Sequence, residues 1–238
     1  MARSEVMQRA AQESRLMHRH IKHLGTSCAL ALLGVMAPAA FAGNLQVSVT
    51  DREGKPVQDA VVVLMPATTG TPKPLPLQIV ITQEKMRFVP ALSLVGVGAR
   101  ARFVNNDPWE HHVRASAAGV MQFESATSSG FELRLDGKEE GKSAKTAEAT
   151  FDKAGGVLLG CHLHASMRGN VYVSDSPWAA LTNADGVASF EGVPDGAAKL
   201  KVWHADQLID IAQQQLTLTP AAAKAAAQLS VVPRRRRI

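Results

Sequence analysis

Two groupings of residues in this chain have the types and spacing for chemistry. The first is Gly160-Cys161-His162-Leu163-His164-Ala165-Ser166-Met167-Arg168-Gly169, which sets a thiol, an imidazole and a thioether (Cys161, His164, Met167) at three-residue steps. One curled loop can bring three such side chains to a point. The second is Asp107-Pro108-Trp109-Glu110-His111-His112-Val113, with adjacent imidazoles. Thiolate and imidazole donors with a weak thioether suit copper, and two His, one Cys and a distant axial Met form the blue-copper set. Zinc fits less well, because structural zinc favours Cys-rich sets and a thioether is a poor zinc ligand.

The second histidine must come from outside the 161–167 loop. Beyond residue 42 the chain has five histidines: His111, His112, His162, His164 and His204. His111 or His112 is the candidate, from a loop following a strand at Ala101–Val104. His162 reads as an exposed neighbour of the ligands and His204, beside Trp203, as a surface or structural histidine. Asp107 and Glu110 read as solvated carboxylates, although either can hold a ligand histidine's ring nitrogen. Trp109 covers the site or packs near it, and Met86 and Met121 read as core or rim. Cys161 as a nucleophile would have His164 as a base, but no acid or oxyanion partner is evident. No phosphate-binding Gly loop or Ser/His/Asp arrangement with interpretable spacing is present, and the chain is expected not to be an enzyme.

The N-terminus says where such a site would work. Met1 to His23 is polar and basic, Cys28 to Ala40 is almost wholly apolar, and Ala40-Phe41-Ala42 follows. That order predicts a cleaved secretory signal over residues 1–42. The apolar run falls short of the roughly 20 residues a membrane span needs, so no stable membrane insertion is expected after cleavage. The expected location is the periplasm or another exported compartment. Of the two cysteines, Cys28 and Cys161, only Cys161 then remains. A single cysteine in an exported protein is a partner-bonding thiol, a reactive thiol or a metal ligand.

Charge excludes one class of partner. Residues 1–42 carry five Lys or Arg and two Asp or Glu, so their removal lowers the formal charge from +5 to +2. Four of the remaining positives are Arg234–Arg237, which leaves the body at about −2. The basicity therefore sits at the ends and does not argue for nucleic acid. The arginine run is a solvated tail or a docking patch for an anionic surface.

The elements that must position these residues are strands. Short alternating runs broken by Gly, Pro, Asn and Asp predict an all-β chain of sandwich type. In the middle region the clearest are Ile79–Thr82, Ala91–Val95, Ala101–Val104, Gly130–Leu135, Ala147–Phe151, Gly156–Leu159 and Asn170–Val173. Asp136 to Ala144 is a charged hairpin or loop, and Pro66 to Pro76 is a Thr/Gly/Pro-rich linker. The alanine-rich Pro220–Gln228 is the one helix candidate, read as one short helix or a linker.

These residues carry two resemblances. Cys161-x-x-His164-x-x-Met167-x-Gly169, with Phe103-Val104-Asn105-Asn106 ahead of the histidine pair and Phe88-x-Pro90 before Leu92-x-Leu94, resembles the cupredoxins, most closely the amicyanin and plastocyanin group. The likeness covers residues 77–174. It implies a Greek-key β-sandwich holding one mononuclear blue-copper ion, with His111, Cys161, His164 and Met167 as ligands. By position it prefers His111, with His112 in place of the family's following Asn. Leu159-Gly160 stands where the family has an aromatic before the Cys. The resemblance further implies one-electron transfer with transient redox protein partners, His164 being the electron port.

The flanking stretches Asp51-x-x-Gly54-x-Pro56-Val57 and Asp185-Gly186-x-Ala188-x-Phe190-x-x-Val193-Pro194-x-Gly196 resemble the two halves of a carboxypeptidase regulatory-like, transthyretin-like β-sandwich. The expected organisation is signal 1–42, first half-module 43–72, cupredoxin domain 77–174, second half-module 179–232 and basic tail 233–238. The copper domain is then inserted in, or packed against, a second, smaller sandwich. Two other functions use the same residues: a periplasmic copper carrier or chaperone, and a non-redox binding module with a degenerate metal site.

Overall fold

The computed structural model describes residues 42–119 and 130–234. The predicted signal, apart from Ala42, lies outside these residues, as do Met121 and the Arg235–Arg237 part of the tail. The strands in chain order are β1 (Ala42–Thr50), β2 (Val61–Pro66), β3 (Gln78–Glu84), β4 (Arg87–Val89), β5 (Leu92–Gly96) and β6 (Ala99–Asn105). There follow β7 (His111–Ala117), β8 (Glu132–Leu135), β9 (Lys145–Phe151), β10 (Gly155–Cys161) and β11 (Arg168–Ser174). The last are β12 (Ala179–Leu181), β13 (Val187–Pro194), β14 (Gly196–Trp203), β15 (Gln214–Leu218) and β16 (Ala223–Gln228). Among the described residues the fold is all-β, as their alternation of apolar and polar residues requires.

The strands form four sheets, ordered β13-β1-β16, β12-β2-β14-β15, β4-β3-β6-β9 and β5-β11-β10-β7-β8. The first two enclose one core, which includes Leu45, Val47, Val62, Leu64, Phe190 and Leu200. The other two enclose a second core, which includes Ile81, Phe88, Phe103, Val113, Leu159 and Val171. A sheet has one apolar face to bury, and two facing sheets are the stable way to bury it. The chain leaves the first sandwich after β2, builds the second from β3 to β11, and returns for β12 to β16.

A third cluster joins the two. Val61 and Val63 of β2, Leu92 of β5, Tyr172 of β11 and Trp203 of β14 pack together. Sheet β12-β2-β14-β15 is therefore covered on both faces. This accounts for Val61-Val62-Val63-Leu64, four consecutive buried residues with no alternation. At the contact, the Tyr172 and Trp203 rings lie 5.2 Å apart between centroids.

Two expectations are corrected. Pro220–Gln228 is not a helix: Ala223–Gln228 is β16, paired in parallel with Leu45–Thr50 of β1. The open edge of β1 offers the segment a run of ladder bonds through alternate residues and a place on the first core for Ala227, and this tertiary pairing overrides alanine's helix propensity. Nor do His111 and His112 sit in a loop. They open β7, which pairs with β8 and β10. The strand leading into the thiol is also longer than Gly156–Leu159, and Cys161 is its last residue.

Candidate metal centre

Strand alternation selects which side chains meet. On β7, His111, Val113 and Ala115 are buried and face the second core, whereas His112 and Arg114 face outward. On β10, Leu159 and Cys161 face the same core. The two strands are antiparallel, with Cys161 paired to Val113. The ladder continues one step further, where the His162 N–H donates to the His112 carbonyl at 3.1 Å. His111 and Cys161 thus end neighbouring strands at one rim of the sandwich, on its inner side.

His164 is brought back by the turn between β10 and β11. The Met167 N–H donates to the His164 carbonyl at 2.9 Å, which closes the loop over the rim. The outcome is a compact trio. Cys161 Sγ lies 3.7 Å from His111 Nδ1 and 3.5 Å from His164 Nδ1. The two Nδ1 atoms are 3.2 Å apart, with ring centroids at 4.9 Å. Among the described residues these three form the one group of His, Cys, Asp or Glu donors close enough to share an ion.

The spacing can be tested against a metal. Donors at about 2.0–2.1 Å for nitrogen and 2.3 Å for sulfur, at tetrahedral to trigonal angles, stand about 3.3–3.6 Å (N to N) and 3.5–3.8 Å (N to S) apart. The observed separations match this pattern to within about 0.1 Å. Both histidines present Nδ1, and Cys161 and His111 are shielded from water at 7% and 0% exposure. The donors fit a soft, thiolate-seeking ion.

His111 is held from behind. Its Nε2–H donates to Oδ2 of Asp107 at 2.9 Å, and both side chains are buried. Of the two readings the sequence allows for Asp107, a solvated carboxylate or one that holds a histidine ring nitrogen, the structure corrects the first and bears out the second: Asp107 is 4% exposed. The carboxylate accepts from the backbone N–H groups of Lys85 (2.5 Å) and Met86 (2.9 Å) in the β3–β4 turn. Those residues have φ of 52° and 58°, in the left-handed region that suits glycine. Burial alone would raise the Asp107 pKa; the Met86 N–H, the His111 ring and the Lys85 N–H outweigh it and hold the carboxyl below its ordinary value. A proton kept on Nε2 leaves Nδ1 as the lone-pair donor.

Asn105 organises the rest of this connection. Its amide donates to the carbonyls of Trp109 (2.9 Å), Leu135 (3.1 Å) and Asp136 (3.1 Å), and its Oδ1 accepts the Asp107 N–H at 3.0 Å. It was not singled out by the sequence reading beyond the Phe103–Asn106 stretch. The one available signal was an Asn-Asn-Asp run at a strand end, where such side chains bond backbone.

The other marked residues are placed as follows. Nε2 of His112 contacts Glu110 at 2.7 Å on the outer face. Glu110 also pairs with Arg134, and that guanidinium, then His112, holds its pKa down. His162 is outside the trio, 3.3 Å from Glu132. Met167 is 1% exposed, in the same core as Cys161. His204 is buried, and its Nδ1 accepts the Asp206 N–H at 3.1 Å. Met86, expected in core or rim, stands exposed in its turn; Leu163 and Trp109 are exposed as well.

No protein-family model matches the chain, and no curated protein does. Solved structures do. An oxidized P96G mutant of amicyanin is 29% identical over 41% of this chain and 82% of its own, with a TM-score of 0.29. Amicyanin from Paracoccus versutus is 24% identical over 49% of this chain and 100% of its own, with a TM-score of 0.32. A Cu-containing nitrite reductase from Thermus scotoductus is 21% identical over 46% of this chain but 25% of its own, with a TM-score of 0.32. At these scores the likeness carries no argument about function, which rests on the trio itself.

Proposed function

We propose that this protein holds one copper ion in a mononuclear centre and passes single electrons between partner proteins outside the cytoplasm. The observation that carries the reading is the trio of Cys161, His111 and His164, with donor atoms 3.2–3.7 Å apart. Cys161 as thiolate and the two imidazoles would be the strong donors, with Met167 the weak fourth one. Copper supplies a one-electron couple to such a set.

The chain's residues provide the rest. Asp107 keeps the His111 ring in one tautomer and one orientation. The β7–β10 ladder fixes Cys161 against His111. Donors held in this way move little between oxidation states, which keeps the barrier to transfer low. Four protein donors leave no position for a substrate, and the reading is of a shuttle rather than an enzyme. His164 is only partly buried and is flanked by exposed Leu163 and Ala165. It is the route by which a partner would reach the centre, through a small, transient contact. Export follows from the signal predicted over residues 1–42. The sandwich enclosed by β1, β2 and β12–β16 is read as a scaffold module carrying the copper module.

Voltammetry of the copper-loaded protein tests the shuttle. A reversible one-electron couple with the ion retained over repeated cycles is the expected result. Release of the ion on reduction would make the protein a copper carrier instead.

A further inference from the structure

Gln83 is the most anomalous side chain near the centre. It is fully buried, at 0% exposure, and neither its Nε2 nor its Oε1 has a hydrogen-bond partner. No other described residue has an orphaned buried side-chain N or O atom. A buried amide without partners is costly, and such a group asks for a reason.

Its place in the fold suggests one. Gln83 follows Ile81 on the inner face of β3, and its ladder partners are Phe88 and Asn105. Phe88 lies against Gly169, two residues beyond Met167; a Cβ on that glycine would come within 3.0 Å of the Phe88 Cβ. Asn105 ties down the connection that delivers His111. Two residues after Gln83, the Lys85 N–H binds the carboxylate that holds His111. Gln83 therefore belongs to the innermost layer at the same end of the sandwich as Cys161 and His111. Both rings turn Nδ1, the lone-pair donor of a loaded centre, toward the Cys161 sulfur, so a thiolate there would carry negative charge with no N–H donor directed at it among the described residues. The amide of Asn105 is already committed to three carbonyls, and that of Gln83 is free.

We infer that Gln83 is a positioning residue of the metal centre: its Nε2–H group donates to the sulfur of Cys161 once that sulfur is a metal-bound thiolate. The inference rests on the copper reading above. The amide is then an unfavourable element of the metal-free protein that finds its partner only in the loaded one. Removing it should shift the two states in opposite senses, which a purely structural side chain would not do.

The test compares Gln83→Leu with the wild type, each with and without Cu(II), by thermal unfolding, copper competition titration and the visible spectrum. Gln83→Ile serves as the second apolar variant in case leucine's branch disturbs the core, since isoleucine suits a strand and adds no donor atom. The expected result is a higher Tm for the metal-free variant, at least a tenfold loss of copper affinity and a shifted thiolate band. Equal Tm shifts in both states, with affinity and band unchanged, would overturn the inference and leave the copper reading standing. A wild type with no thiolate band would remove both.

Discussion

Oδ2 of Asp107 lies 2.9 Å from Nε2 of His111, and the same carboxylate accepts the backbone N–H groups of Lys85 and Met86. One buried side chain thus couples a turn more than twenty positions upstream to the orientation of a candidate ligand. Asp107→Asn keeps the size but removes the negative charge. Copper affinity should fall about 10–100-fold, and the reduction potential should rise, because Cu(II) loses more stabilisation than Cu(I). Competition titration and voltammetry measure both. Unchanged values would make Asp107 a structural cap of the turn and no more.

The facing of β7 separates the adjacent histidines. A single-residue step along a strand reverses the side chain's direction, and His111 is inward where His112 is outward. His111→Ala should abolish tight copper binding, while His112→Ala should leave the visible spectrum intact. If the His112 variant loses the spectrum instead, the register described for β7 and β10 does not hold in the loaded protein.

Met167 is 1% exposed and belongs to the core of the second sandwich. Met167→Ala should cost about 2–5 kcal/mol in the metal-free protein through the cavity it leaves. Met167→Leu, closer in volume, should cost under about 1.5 kcal/mol. Both should change the copper spectrum, since both remove the thioether. Urea unfolding paired with spectroscopy checks this; a Leu variant with the wild-type spectrum would show that Met167 only packs.

The junction of the two sandwiches has its own marker. A Cβ at Gly156 would sit 2.7 Å from Cζ2 of Trp203. That ring is 4% exposed and packed on Tyr172, so it has little room to yield. Gly156→Ala should destabilise the protein by about 1–3 kcal/mol with the copper spectrum retained. Wild-type stability in that variant would mean that the Trp203 contact is not maintained in solution.

Much of the site is legible in the sequence because it is local. Cys161 and His164, two members of the trio, lie within four residues, and a thiol and an imidazole at that spacing suit a metal without any knowledge of the fold. The all-β class is legible too, since alternation is written along each strand. What is not legible depends on partners distant in the chain. Asp107 reads as solvated because carboxylates usually are; its burial comes from a turn at Lys85–Met86 that folds over it. The alanine-rich segment before Gln228 reads as a helix because propensity is local, while the edge of β1 that captures it lies some 180 residues earlier. His111 reads as a loop residue because Asp107-Pro108 breaks the pattern just before β7 begins. Gln83 draws no notice in sequence, since only its burial without a partner makes it unusual.

The visible spectrum after adding Cu(II) to the purified protein tests the central claim most directly. An intense thiolate-to-copper band, present in the wild type and lost in Cys161→Ser, is the predicted result. A folded, copper-loaded protein without that band would contradict it.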